Sequence, residues 1–184
     1  MKSTAVIAAF IGTALSSPVS PVAAGDPVST PTPTELQDGN YWIRAVAAPN
    51  FHKYLQTNPA NVPGVAILES SKTAGQFQIE DGQLVNKVSD PPLYLWITEP
   101  EDKANPPRTL AATFDSEPSP FGAFAWQGDA LTWSHPDVNR QNLAAWLVCE
   151  DQALFVNTGA YAYDTPAGCS DQTIHYYNDK TAND

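Results

Sequence analysis

Turn signals recur along this chain so often that no long helix fits between them. The clearest stretch is residues 76–85 (QFQIEDGQLV). Phe77 and Ile79 alternate with Gln76, Gln78 and Glu80, the two-residue period of a strand buried on one face. Asp81-Gly82 is a dipeptide that closes two-residue hairpin turns, and Leu84 opens a second strand. Residues 124–133 (FAWQGDALTW) repeat the form around Gly128-Asp129. Residues 146–156 (WLVCEDQALFV) repeat it around Glu150-Asp151. Three hairpins suggest threefold repetition, although Gln76 to Ala123 spans 47 residues and Ala123 to Ala145 only 22.

Further short strands are expected at residues 41–46, 54–56, 65–68, 93–98, 109–114 and 174–177, with Tyr41, Ile43 and Ala45 on one face of the first. Polar, Pro-rich stretches at 58–64, 99–108 and 115–120 separate them as loops. Seventeen prolines, ten glycines and one Met disfavour helices, while five Trp, seven Tyr and seven Phe favour strands. The expected fold is all-β: a β-trefoil-like barrel of short strands and hairpins, with a β-sandwich as the alternative built from the same strands.

The N-terminus reads as an address. Lys2 is followed by an uncharged apolar run at residues 4–15 and then by small residues and prolines, the order of a secretory signal peptide. Residues 1–16 are assigned to it, with cleavage as late as Ala24 also fitting the small-residue rule. The run is shorter than the ~20 residues that cross a bilayer. Residues 17–35 form a Pro/Ser/Thr-rich linker, either a plain spacer or a carrier of O-glycans on Ser29, Thr30, Thr32 and Thr34. Residues 36–184 are then one β domain, of ordinary size for a single core.

Charge narrows the partners. The formal net charge is −11, which repels phosphate backbones and anionic membrane surfaces, so neither nucleic acid nor membrane is expected as a partner. Cys149 and Cys169 are the only cysteines. In a secreted chain the simplest arrangement is one disulfide between them; the rival is two free thiols, and no Cys-His-Asn/Asp signature surrounds either.

No catalytic or metal motif is complete. His52, His135 and His175 lack metal-ligand spacing. The acids Glu80-Asp81, Glu99, Glu101 and Asp102, and Glu150-Asp151 fall in turns, and adjacent acids on a strand point to opposite faces, which makes poor acid–base dyads. No Gly-x-Ser-x-Gly elbow and no phosphate loop occurs. No cofactor is expected. For the five tryptophans burial is the default, since an aromatic ring is a large apolar payload. Trp42 and Trp96 are the outward candidates, because their apolar neighbours (Tyr41 and Ile43; Leu95 and Ile97) fill the inner face. Tyr161 and Tyr163, in the Gly/Ala/Pro-rich stretch 157–168, are expected to be exposed and to join a ligand-binding surface.

The segments 41–44 (YWIR), 53–55 (KYL) and 77–84 (FQIEDGQL) resemble the first unit of a ricin-B-type β-trefoil. Residues 76–84, 124–133, 146–149 and 166–169 (PAGC) also resemble fungal secreted cell-wall proteins of the phialide-development and IgE-binding-antigen type. The resemblance implies an extracellular or cell-wall location, a β-rich domain and no established enzymatic activity. No Asp–aromatic–Asn sugar site transfers residue by residue. The expectation is therefore a secreted, monomeric, non-enzymatic protein that binds wall polysaccharide. The alternatives are an effector or antigen that binds a host protein, and, third, a glycoside hydrolase.

Overall fold

Asp81 and Gly82 both take positive φ, 50° and 79°. That is the backbone of a two-residue turn whose twist matches the strands it joins, and glycine adopts it without strain. The turn links β4 (Phe77–Glu80) to β5 (Gln83–Asn86), which pair Ile79 with Leu84 and Phe77 with Asn86. A second such turn, with Gly128 at φ 63°, links β8 (Ala123–Gln127) to β9 (Ala130–Ser134), where Trp126 opposes Leu131 and Phe124 opposes Trp133. The third ribbon has no turn. It is made by the two ends of the domain, β1 (Trp42–Ala45) against β13 (Ile174–Tyr177), with Ile43 opposite Tyr176 and Ala45 opposite Ile174.

These observations come from a computed structural model that describes residues 32–183. The signal peptide and nearly all of the linker expected from the sequence lie outside the described residues. The three ribbons join edge to edge. Tyr41 bridges Phe77, Phe124 N–H donates to the Gly82 carbonyl at 2.8 Å, and β13 pairs with β9. Six strands thus close on themselves as a barrel, which removes the unpaired edges that an open sheet would expose.

Three further hairpins cover one end. They are β2 (Tyr54–Asn58) with β3 (Gly64–Glu69), β6 (Leu93–Ile97) with β7 (Thr109–Asp115), and β10 (Trp146–Val148) with β11 (Leu154–Asn157). β7 pairs with both β3 and β11, and Ile67 bridges Ala153, so the three form a triangular cap. A six-stranded barrel with three capping hairpins is the β-trefoil arrangement. A short extra strand, β12 (Ser170–Gln172), lies beside β10.

This topology corrects the repeat count taken from the sequence. The hairpins at Asp81-Gly82 and Gly128-Asp129 join successive units, whereas residues 146–156 form a cap hairpin. The latter belongs with β2–β3 and β6–β7, and the uneven spacing follows.

The core has two apolar clusters, a small one around Trp42 and Tyr54 and a large one. The large one runs from the barrel (Ile43, Phe77, Leu84, Phe124, Leu131, Trp133, Ile174) into the cap (Leu55, Leu68, Leu95, Phe114, Trp146, Val156). Gln76, expected on the polar face of its strand, is wholly buried instead. The N-terminal segment folds over it and satisfies its amide: Oε1 accepts from Gln37 N–H at 2.8 Å, and Nε2 donates to the Glu35 carbonyl at 2.8 Å.

Arg140 is also buried. Its guanidinium donates to the carbonyls of Trp133 and Ala145, both at 2.6 Å, and of Asn157 at 3.0 Å. It ties the 136–145 loop to the ends of β9 and β11, and burial pulls its pKa down to about 10. Cys149 and Cys169 form a disulfide across 20 residues. A closed loop of that length contributes ~3 kcal/mol by limiting the unfolded chain.

Candidate functional site

Along β6, Leu93, Leu95 and Ile97 are buried and point into the cap, while Tyr94 and Trp96 alternate outward and are half-buried. Trp96 is not a loose surface ring. Its indole N–H donates to the Glu117 carbonyl at 2.6 Å, which fixes the ring beside the 115–121 segment. It forms one side of a cleft of about 270 Å³ with Thr98, Glu99, Thr113, Pro120 and Phe121. That volume is near the lower end for small-ligand sites, roughly 300–1,000 Å³. The lining is mostly apolar, with two hydroxyls and one carboxylate at its edge. Glu99 is held by Lys103 at 2.5 Å, and the Lys103 ammonium lies 5.8 Å from the Phe121 ring centroid. The hydrogen bond to Glu99 favours the ammonium form and raises the Lys103 pKa.

Trp42, the other outward candidate, is 1 % exposed, and the expectation that it faces solvent is corrected here. Its side of β1 is covered. Tyr54, Ala74, Leu36, Tyr177 and Ala182 pack around it, and its indole N–H donates to the Asp179 carbonyl at 3.1 Å.

Tyr161 and Tyr163 are exposed, at 38 % and 67 %. Their loop is pinned from below. Arg108 donates to the carbonyls of Ala160 and Tyr163, each at 2.7 Å, and sits so close under Gly159 that a Cβ there would lie 2.3 Å from its guanidinium. Asp171 accepts from Asn157 at 2.7 Å and from the Thr165 hydroxyl. Partial burial, and then the Asp171 charge, raise the Tyr161 pKa. Among the described residues no ring contact joins these tyrosines to Trp96, and neither lines the Trp96 cleft.

A second aromatic group was not foreseen. Ile79, Trp126 and Tyr176 occupy equivalent places in the three ribbons, opposite Leu84, Leu131 and Ile43. All three are half-buried, at the barrel end opposite the cap. Tyr41 joins them, 4.9 Å from Tyr176 and 6.0 Å from Trp126 between ring centroids. This layer stoppers the barrel and edges a shallow groove that also includes Gly39, Gln78 and Ala125. The sequence signal was an aromatic two residues after the buried Phe124, next to the turn, which places it at a barrel end instead of mid-core.

The histidines are dispersed. His52 stacks on Phe51, His135 lies by Phe121, and His175 Nδ1 is 3.1 Å from Asp129 Oδ2, a hydrogen bond that holds the Asp129 carboxyl below its usual range. Among the described residues there is no group of three or more His, Cys, Asp or Glu able to hold a metal ion, and no helix long and apolar enough to cross a membrane.

Comparison with family models, with curated proteins and with solved structures finds no match.

Proposed function

We propose that this protein is a secreted, non-enzymatic component of the cell wall or its surroundings that binds wall polysaccharide through the Trp96 cleft. The single observation that carries the reading is the anchored, half-exposed Trp96 indole beside an apolar recess edged by hydroxyls. Sugar rings present C–H faces that pack on aromatic planes, and a pre-fixed indole offers that plane without losing rotamer freedom on binding. The disulfide is compatible with an oxidising, extracellular location, and the acidic surface suits solubility there. The resemblance of the hairpin segments to fungal wall proteins points the same way.

The test is retention of the purified protein on insoluble chitin, β-glucan and mannan. Retention on one polymer that resists salt, and falls tenfold or more (about 1.4 kcal/mol) in Trp96→Ala, is the expected result. Undiminished retention of Trp96→Ala overturns the cleft. Absence of retention on all three shifts the reading to a protein partner.

A further inference from the structure

The Trp96 cleft is apolar within and polar at its rim, and its walls are fixed by bonds inside the protein. The 115–121 segment, which forms one wall, is tied to β5 twice. Gln83 Nε2 donates to the Ser119 carbonyl at 3.1 Å, and Ser119 N–H donates to Gln83 Oε1 at 2.9 Å. Phe121 is 3 % exposed and packs on Trp133 and His135, with ring centroids 5.4 and 4.4 Å away. The Trp96 N–H is spent on the Glu117 carbonyl, so the indole offers a ligand its ring and no donor. Pro120, Phe121 and the indole therefore bound a preformed apolar recess.

The rim is a pair of hydroxyls. Thr113 stands directly opposite Trp96 in the β6–β7 register and lies between the buried Ala112 and Phe114, so its side chain shares the outward face of the indole. Thr98, two residues beyond Trp96, continues that face, and its N–H donates to the Ala111 carbonyl at 2.9 Å. Both line the cleft, and neither hydroxyl has a hydrogen-bond partner among the described residues. The one carboxylate, Glu99, is already held by Lys103.

These features sort the substituents that a wall sugar carries. A plain hydroxyl pressed against Pro120 and Phe121 would lose its water and gain no partner, which is unfavourable. An ammonium would be desolvated beside a carboxylate that is already paired. An acetamido group meets both parts of the cleft. Its methyl fills the apolar recess, and its carbonyl and N–H pair with hydroxyls, which both donate and accept.

We infer that the cleft takes an acetamido group, so that the polysaccharide bound through Trp96 is one built of N-acetylated amino sugars. The sugar ring packs on the indole and the substituent enters the recess beside it. The inference rests on the reading of the Trp96 cleft as a polysaccharide site and narrows that reading to one class of sugar.

The experiment is calorimetric titration of the purified protein with three tetramers. They share one β-linked glucose backbone and differ only at the second carbon, which bears a hydroxyl, a free amine or an acetamido group. The acetamido tetramer should bind about tenfold or more tighter than either of the others, and Trp96→Ala should abolish that binding. Thr98→Val combined with Thr113→Val keeps the size and branching of both side chains and removes the hydroxyls. In that variant the preference for the acetamido over the hydroxyl tetramer should fall about fivefold, as expected for loss of a hydrogen bond. Thermal melts check that each variant is folded. Trp96-dependent binding in which the hydroxyl or amine tetramer matches the acetamido one overturns the inference and leaves the polysaccharide reading standing. A preference that survives loss of both hydroxyls undiminished also overturns it. If no tetramer binds, Trp96-dependent retention on insoluble mannan or β-glucan removes the inference alone, and absence of that retention removes the reading with it.

Discussion

Trp42 and Trp96 start from the same local pattern and end in opposite surroundings. Each sits on the outward side of a short strand between apolar neighbours that face the core. Trp96 is left half-open at a cleft, whereas Trp42 is closed over by the two ends of the domain. Glu35 bridges Thr181, Leu36 N–H donates to the Lys180 carbonyl at 2.8 Å, and Asn183 meets the Tyr54 hydroxyl. Arg44 completes the clasp, with its guanidinium 3.6 Å from the Tyr177 ring centroid. Alternation tells which side of a strand a residue takes. What covers that side is decided by chain segments more than a hundred residues away.

The largest expected effect separates the two tryptophans. Trp42→Ala opens a cavity in a fully buried cluster and should cost roughly 3–5 kcal/mol, read as a large drop in the denaturation midpoint. Trp96→Ala removes a half-exposed ring and should cost about 1 kcal/mol or less, while polysaccharide retention collapses. If both variants lost similar stability, the two faces would not differ as described.

Next in size is removal of residues 179–184. This deletes the Asp179 carbonyl that receives the Trp42 indole and the contacts to Leu36 and Tyr54. At about 1 kcal/mol for each lost hydrogen bond, the loss should reach roughly 2–3 kcal/mol. Trp42 should become exposed, with a red shift in tryptophan emission and faster quenching by iodide. Retention on polysaccharide through Trp96 should survive. A truncated protein with unchanged emission would show that the clasp does not shield Trp42.

Much of the barrel was legible because its signals are local. Asp81-Gly82 and Gly128-Asp129 mark turns by backbone preference alone, and residues 174–177 coincide with β13. The 47-residue step between the first two ribbons was also readable. The third ribbon was not, because the two chain ends make it without any turn. β12 is three polar residues with no strand signature, and it pairs only because β10 lies alongside. The role of Arg140 has no local signal, since nothing near it in sequence announces that backbone carbonyls from three separate places will meet at one point. The outward side of Trp96 and the exposure of Tyr161 and Tyr163 were legible in the sequence, while a polar groove lined by Gln56, Asn58, Glu69, Thr73, Asp151 and Gln152 was not. Its lining comes from β2, β3 and the turn at Glu150–Gln152, which approach one another only in the cap.

The smallest expected effect is a pH dependence confined to the clasp. The Tyr177 hydroxyl donates to Asp179, and that hydrogen bond, followed by desolvation, raises the Tyr177 pKa above its ordinary value near 10. A raised pKa means that the folded state holds the proton more tightly than the unfolded chain. The associated stability is fully present below the unfolded value and is lost as pH rises through the higher folded value. The clasp should therefore loosen in the alkaline range, with the phenolate repelled by Asp179. Tyr177 titrates at the surface, so the change should appear as a small shift in Trp42 emission above the ordinary tyrosine value near pH 10 and not as unfolding. Tyr177→Phe keeps the ring under Arg44 but has no proton to lose, and should flatten that shift while leaving emission from Trp96 unaltered. A shift of the same size in Tyr177→Phe would place the alkaline response elsewhere. The Lys103–Glu99 pair at the open cleft would then be the group to examine, because its ammonium also holds its proton more tightly than a free lysine does.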